Sequence, residues 1–211
     1  ASWSDVLDRI AADTYGREAA PLARKGWTAF SKGFSEYPFE VRLIRNASHH
    51  WGPANPLYLK PTRLLSTMTG IPYDAVYDWL NETYTPELYA AQMDKVAAGF
   101  AEGCGIWEEM AERTSGEVRD LVRRELGVFR AEQLTFASCA DQTRFVLARD
   151  RGDRAEMARM AHRELETAKA FLPLVRADSS IGFESSNHYF YLPRDVIEKI
   201  LCCRDVLSKV K

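Results

Sequence analysis

Apolar residues recur at three- and four-residue steps along most of this chain, the spacing that gathers them on one face of an α-helix. Over Trp3–Tyr15 they are Val6, Leu7, Ile10, Ala11 and Tyr15, with Ser2 or Ser4 placed to cap the first amides and Gly16 to stop the helix. A second helix is predicted from Glu18 to Glu36, with Pro21 tolerated in its first turn and Leu22, Trp27, Phe30 and Phe34 on one side. Tyr37-Pro38 ends it. Residues 37–86 then break the rhythm, because Pro38, Pro53, Pro56, Pro61, Pro72 and Pro86 leave room only for brief helices near 62–68 and 74–79.

From Pro86 the rhythm returns: Tyr89, Met93, Val96, Phe100, Cys104, Trp107 and Met110 mark one long helix, and a second is expected from Gly116 to Asp150. A third starts at Asp153 after Arg151-Gly152 and carries Met157, Met160, Ala161, Leu165, Ala168, Phe171 and Val175, with Pro173 expected to kink its end. Short joins between three long helices predict antiparallel packing. Pro193 suits the first position of a last helix bearing Val196, Ile197, Ile200, Leu201 and Leu207. The expected fold class is all-α, a bundle of three long antiparallel helices with shorter N- and C-terminal helices. We expect a single domain over 1–211, made of a loop-rich segment 37–86, a bundle 87–178, an aromatic loop 179–192 and a helix 193–209. No strand alternation, internal repeat or low-complexity tract stands out.

A hydrophobic share of 46% in 211 residues, with 27% charged, supplies a sizeable core and excludes disorder. No apolar run approaches the roughly 18–20 residues that span a bilayer. The opening Ala1-Ser2-Trp3-Ser4-Asp5 lacks a signal-peptide layout, so no membrane partner is expected and the cytoplasm is the favoured compartment. A formal net charge of -2 is not that of a nucleic-acid binder, and no nucleic-acid partner is expected. Cys104, Cys139, Cys202 and Cys203 form no C-x-x-C pair and read as core thiols. The sequons at Asn46 and Asn81 matter only if the chain enters a eukaryotic secretory route.

The aromatics are distributed unevenly. Eight of nine tyrosines and three of four histidines fall within 37–89 and 188–191. Two segments, Arg45–Tyr58 and Asp178–Tyr191, combine flat rings with amides and hydroxyls, a composition suited to sugars, whose C–H faces stack on rings while their hydroxyls take directed hydrogen bonds. Trp51, Tyr58, Tyr189 and Tyr191 are the candidate stacking platforms; Asn46, His49, Asn55, Glu184, Asn187 and His188 are the candidate polar contacts. The opposing reading is that buried rings stitch an irregular loop to a bundle. Asp178 and Glu184 are the only acids in the second segment, and Glu184 is the candidate catalytic acid, with loop fixing as its alternative role. His49, His50, His188 and Glu184 are of the types that ligate zinc or iron, but their spacing is not diagnostic. No metal and no cofactor is therefore assigned. No G-x-S-x-G elbow or phosphate-cradling loop occurs, and Gly99, Gly103 and Gly105 read as small residues permitting close helix packing.

The stretches Trp51-Gly52-Pro53-Ala54-Asn55-Pro56-Leu57-Tyr58 and Asp178–Tyr191, followed by Arg194-Asp195-Val196-Ile197-Glu198-Lys199, resemble the C-terminal helical region of large, poorly characterised bacterial proteins that are themselves similar to glycoside hydrolases. The resemblance implies an upstream barrel-like domain carrying the chemistry, beside which this region packs and to whose sugar cleft it lends loops. No catalytic residue is carried over by it. The expected function is an accessory helical domain of a bacterial carbohydrate-active protein, its partner a carbohydrate or an adjacent catalytic domain. The rivals are a free-standing small helical enzyme using His49, His50, His188 and Glu184, with or without a metal, and a purely structural module. Oligomeric state is not legible.

Overall fold

The computed structural model describes residues 2–46, 48–64, 73–80, 82–184 and 188–210. Eight α-helices occur among them: α1 Trp3–Tyr15, α2 Ala20–Phe34, α3 Val41–Asn46, α4 Val76–Leu80, α5 Pro86–Arg113, α6 Gly116–Arg151, α7 Arg154–Ala177 and α8 Pro193–Lys209. Two 3₁₀ turns, Ser48–His50 and Gly52–Ala54, lie between α3 and α4. The all-α class holds. The structure adds one element that alternation was too short to reveal, a two-residue antiparallel pair of β1 Phe183–Glu184 and β2 His188–Tyr189, with Phe183 opposite Tyr189 and Glu184 opposite His188.

Local chemistry explains most element ends. The Ser2 hydroxyl accepts from the Asp5 amide while the Asp5 carboxylate accepts from the Ser2 amide, a reciprocal cap that assigns the start of α1 to Ser2. The Asp153 side chain caps α7 through the Glu156 amide, and Pro193 opens α8 as expected. Pro173 lies inside α7, which continues to Ala177. Of the two brief helices expected in the proline-rich segment, the second appears as α4; for the first, Thr62–Leu64 are not helical and 65–68 lie outside the described residues. The six-residue α3 was not foreseen, since a turn and a half offers no periodicity to read.

Contacts group the chain into two units, Ala1–Glu36 with Lys95–Gln133, and Tyr37–Asp94 with Leu134–Lys211. The expected single domain, subdivided at 86, 178 and 192, thus meets a different grouping, because α5 and α6 each contribute to both units. In the first unit Tyr15, Trp27, Phe30, Phe100, Trp107 and Phe129 form a ring cluster, with Phe30 and Phe129 centroids 4.2 Å apart. At its edge the half-buried Glu125 accepts from the Tyr15 hydroxyl at 2.9 Å and from Trp107 Nε1 at 3.2 Å. The face that α2 buries is Ala20, Ala23, Gly26, Ala29, Phe30 and Gly33, because small residues let its backbone approach α5; of the expected Leu22, Trp27, Phe30 and Phe34, Phe30 is buried, Leu22 and Trp27 are half-buried and Phe34 is exposed. A Cβ on Gly99 would stand 2.3 Å from Gly33 Cα, and one on Gly103 would strike the Phe30 ring; Gly105 touches nothing.

In the second unit the ends of α5 and α6 run antiparallel, as the pairs Glu87 with Arg151 and Asp94 with Arg144 require. The same sense follows for α6 and α7 from Ser138 with Glu164 and Asp141 with Arg163. Helix α8 packs on α7 and on the Gly52–Ala54 turn. The side it buries is Val196, Lys199, Cys203 and Val206, which corrects the sequence reading: Ile197 and Leu201 face outward.

Candidate functional site

All candidate residues fall in the second unit, where the irregular 48–62 segment has no strand ladder to satisfy its backbone. Side chains from the helices do that work instead. Gln142 Nε2 on α6 donates to the Gly52 carbonyl at 2.7 Å, and Lys199 Nζ on α8 donates to the Asn55 carbonyl. Cys202 Sγ reaches the Leu57 carbonyl at 3.0 Å, and Arg149 Nη1 reaches that of Tyr58 at 3.4 Å. Arg149 also pairs with Asp74 at 2.9 Å, both side chains nearly buried. Burial raises the Asp74 carboxyl, but bonds from the Thr62 hydroxyl and amide and from Arg149 outweigh it and leave the group below the usual carboxylate range.

Behind this segment sits a wholly interior ion pair. Lys199 and Glu164 are 0% exposed, and Glu164 Oε2 accepts from both Lys199 Nζ and the Ser138 hydroxyl. Glu164 Oε1 has no hydrogen-bond partner among the described residues. Asp141, buried on α6, holds Arg163 at 2.9 Å and Arg144 at 3.7 Å; burial first, then the charge of Glu164, push its carboxyl up to about 7 against those two arginines. Cys139 lies in the same region, its thiol raised to about 12 by burial. All four cysteines are free thiols, three buried and Cys202 half-buried. The sequence did carry a signal for the ion pair. Glu164 falls in the register of Met157, Met160, Ala161, Leu165 and Ala168, and Lys199 in that of Val196 and Cys203, so two charges of opposite sign occupy core positions.

The structure brings the two aromatic segments into contact, with the His50 and Phe190 rings 5.0 Å apart. His50 Nε2 also lies 2.7 Å from the Ile44 carbonyl and its ring stacks on His49 at 4.4 Å. Burial, with a smaller contribution from His50, lowers His49 to about 3, so its imidazole is neutral; Tyr37 meets it edge-on. Trp51 is half-buried beside them in the chain. Tyr58, 42% exposed, stacks on the buried Tyr73, whose hydroxyl accepts from the Tyr58 amide at 2.7 Å. Tyr189, 45% exposed, meets Phe183, 48% exposed, across the hairpin with centroids 5.2 Å apart. Phe183 was absent from the sequence candidates.

Two candidates are corrected. Tyr191 turns inward onto Phe171 and fills the space over Gly182, whose φ of 89° needs glycine, so no ring face is left for a ligand. Asn55 is buried, its amide donating to the Ser48 carbonyl and Gln142 Oε1, both at 3.1 Å, so it belongs to the interior network. Asp178 accepts from the amide and hydroxyl of Ser180 and thereby folds its own loop. The side chains of Asn46, Glu184 and His188, and all of Asn187, lie outside the described residues. Among the described residues no group of three His, Cys, Asp or Glu stands together to hold a metal, and no helix is long and apolar enough to cross a membrane. Comparison with known protein families, curated proteins and solved structures finds no match to this chain.

Proposed function

We propose that this chain is an accessory helical domain of a bacterial carbohydrate-active protein, and that the surface around the 182–190 hairpin and the 48–58 segment contacts carbohydrate. The observation that carries the reading is the Phe183–Tyr189 ring pair, half exposed on a loop joined to the first segment at His50 and Phe190. Apolar ring faces held in water on a fixed scaffold favour a ligand that can cover them, and sugar C–H faces do so while leaving hydroxyls free to hydrogen-bond. The sequence resemblance of the same two segments supports the same class of ligand.

Titration with cellohexaose and xylohexaose, followed by tryptophan emission, tests the proposal. A saturable change that is lost with Tyr189→Ala is expected; emission indifferent to both sugars contradicts it. Contact with an adjacent catalytic domain is a second reading, supported by Ile197 and Leu201, which α8 leaves exposed one turn apart.

A further inference from the structure

An irregular loop offers its carbonyls to whatever donors surround it, and here those donors are few and identifiable. Between residues 52 and 58, the carbonyls of Gly52, Asn55, Leu57 and Tyr58 accept from Gln142, Lys199, Cys202 and Arg149. Only Lys199 among them is both fully buried and charged, and its second partner is the equally buried Glu164 on α7. Three separate chain segments therefore meet at one ammonium group: α8 that carries it, α7 that neutralises it and the loop whose Asn55 carbonyl it fixes. A purely apolar interior would pack α8 on α7 as well, and replacing a buried ion pair by apolar side chains of similar volume is often neutral for stability. What apolar side chains cannot supply is a donor to the Asn55 carbonyl.

We infer that Lys199 is a positioning residue, which uses the charge of Glu164 to remain a buried donor and thereby holds the 52–58 wall of the candidate carbohydrate surface in place. The positioning of the loop stands on the geometry alone; only its consequence for sugar binding rests on the function proposed above. Four amides report directly on the loop. Trp51 donates to Ser48, Ala54 to Trp51 and Asn55 to Gly52, while Tyr58 donates to the Tyr73 hydroxyl.

The test is hydrogen exchange of these amides, with cellohexaose and xylohexaose titrations, on the full chain carrying Lys199→Met together with Glu164→Met. This pair removes both charges, so the fold keeps a cooperative melt close to the parent. The positioning role predicts that the four reporter amides exchange about tenfold faster or more while the Phe190 amide, bonded to Gly182, and the α7 amides do not change. It also predicts sugar binding about tenfold weaker. Should the double variant not melt cooperatively, Lys199→Leu with Glu164→Gln, which removes the ammonium donor to the Asn55 carbonyl and leaves a neutral acceptor for the Ser138 hydroxyl, is read in its place with the same expected selectivity in the loop. Unchanged reporter amides, or acceleration spread evenly through α7 and α8, overturn the positioning role. Selective acceleration in a protein whose parent binds neither sugar upholds it and refutes the carbohydrate reading.

Discussion

Within α5 the same substitution is expected to have opposite signs at two glycines six residues apart. Gly→Ala in a helix interior normally stabilises by about 0.5–1 kcal/mol, because alanine surrenders less backbone entropy. Gly105 is exposed, and a methyl group added there would meet nothing within 4 Å, so Gly105→Ala should show that gain. At Gly99 the new methyl would sit 2.3 Å from Gly33 Cα and 3.0 Å from Gly33 N, both backbone atoms that no rotamer change can move. Carbon contacts settle near 3.5–4.0 Å, so α2 and α5 must part by roughly 1 Å, loosening Phe30 where it fills the space over Gly103. Overpacking of this kind costs about 1–3 kcal/mol. At ~2–4 °C per kcal/mol for a chain of this size, Gly105→Ala should raise Tm by about 1–4 °C and Gly99→Ala lower it by about 2–12 °C. Differential scanning calorimetry of the two variants decides. A Gly99→Ala protein as stable as Gly105→Ala would refute the close approach of the two helix backbones.

Three further outcomes follow from the second unit. Lys199→Met alone strands Glu164 as a buried carboxylate and should cost about 3–5 kcal/mol in urea unfolding, well beyond the cost of Lys199→Met together with Glu164→Met; a single-variant deficit no larger than that of the pair would refute it. Asp141, held at about 7 against 3.8 unfolded, makes the folded chain bind more protons between about pH 4 and 7. Its contribution is therefore fully present below pH 4 and fades as pH rises to 7, so the stability of Asp141→Asn relative to the parent should climb across that window, as read by denaturant titration at several pH values. His49, lowered to about 3 by burial, gives the opposite slope, stability present above 6.5 and lost toward 3, so His49→Gln should flatten the acid limb of the parent's curve.

Much of the architecture was legible because long helices announce themselves: α6, α7 and α8 begin and end, and α5 begins, within a residue or two of where caps, prolines and apolar steps place them. Faces were harder to read than boundaries. A scan for large apolar residues assigned Phe34 to the buried side of α2 and Leu201 to that of α8, whereas the packed faces use Gly26, Gly33 and Lys199. Small residues vanish from such a scan although they permit the closest backbone approach, and charged ones are discounted although a pair of opposite sign can occupy the core together. At the candidate site, the composition of the two segments pointed to where rings and histidines gather, and the His50–Phe190 contact joins them. It could not distinguish Tyr189, which faces solvent, from Tyr191, which faces Phe171, because that choice is made by a two-residue hairpin and by Gly182.

Isothermal titration of the chain with cellohexaose and xylohexaose, beside Phe183→Ala, Tyr189→Ala and a control at an exposed ring of the first unit, Trp3→Ala, tests the functional reading most directly. The account predicts saturable binding of at least one sugar by the parent and by Trp3→Ala, with affinity reduced about tenfold or more in each hairpin variant. Absence of binding by the parent, or equal affinity in all four proteins, would contradict it.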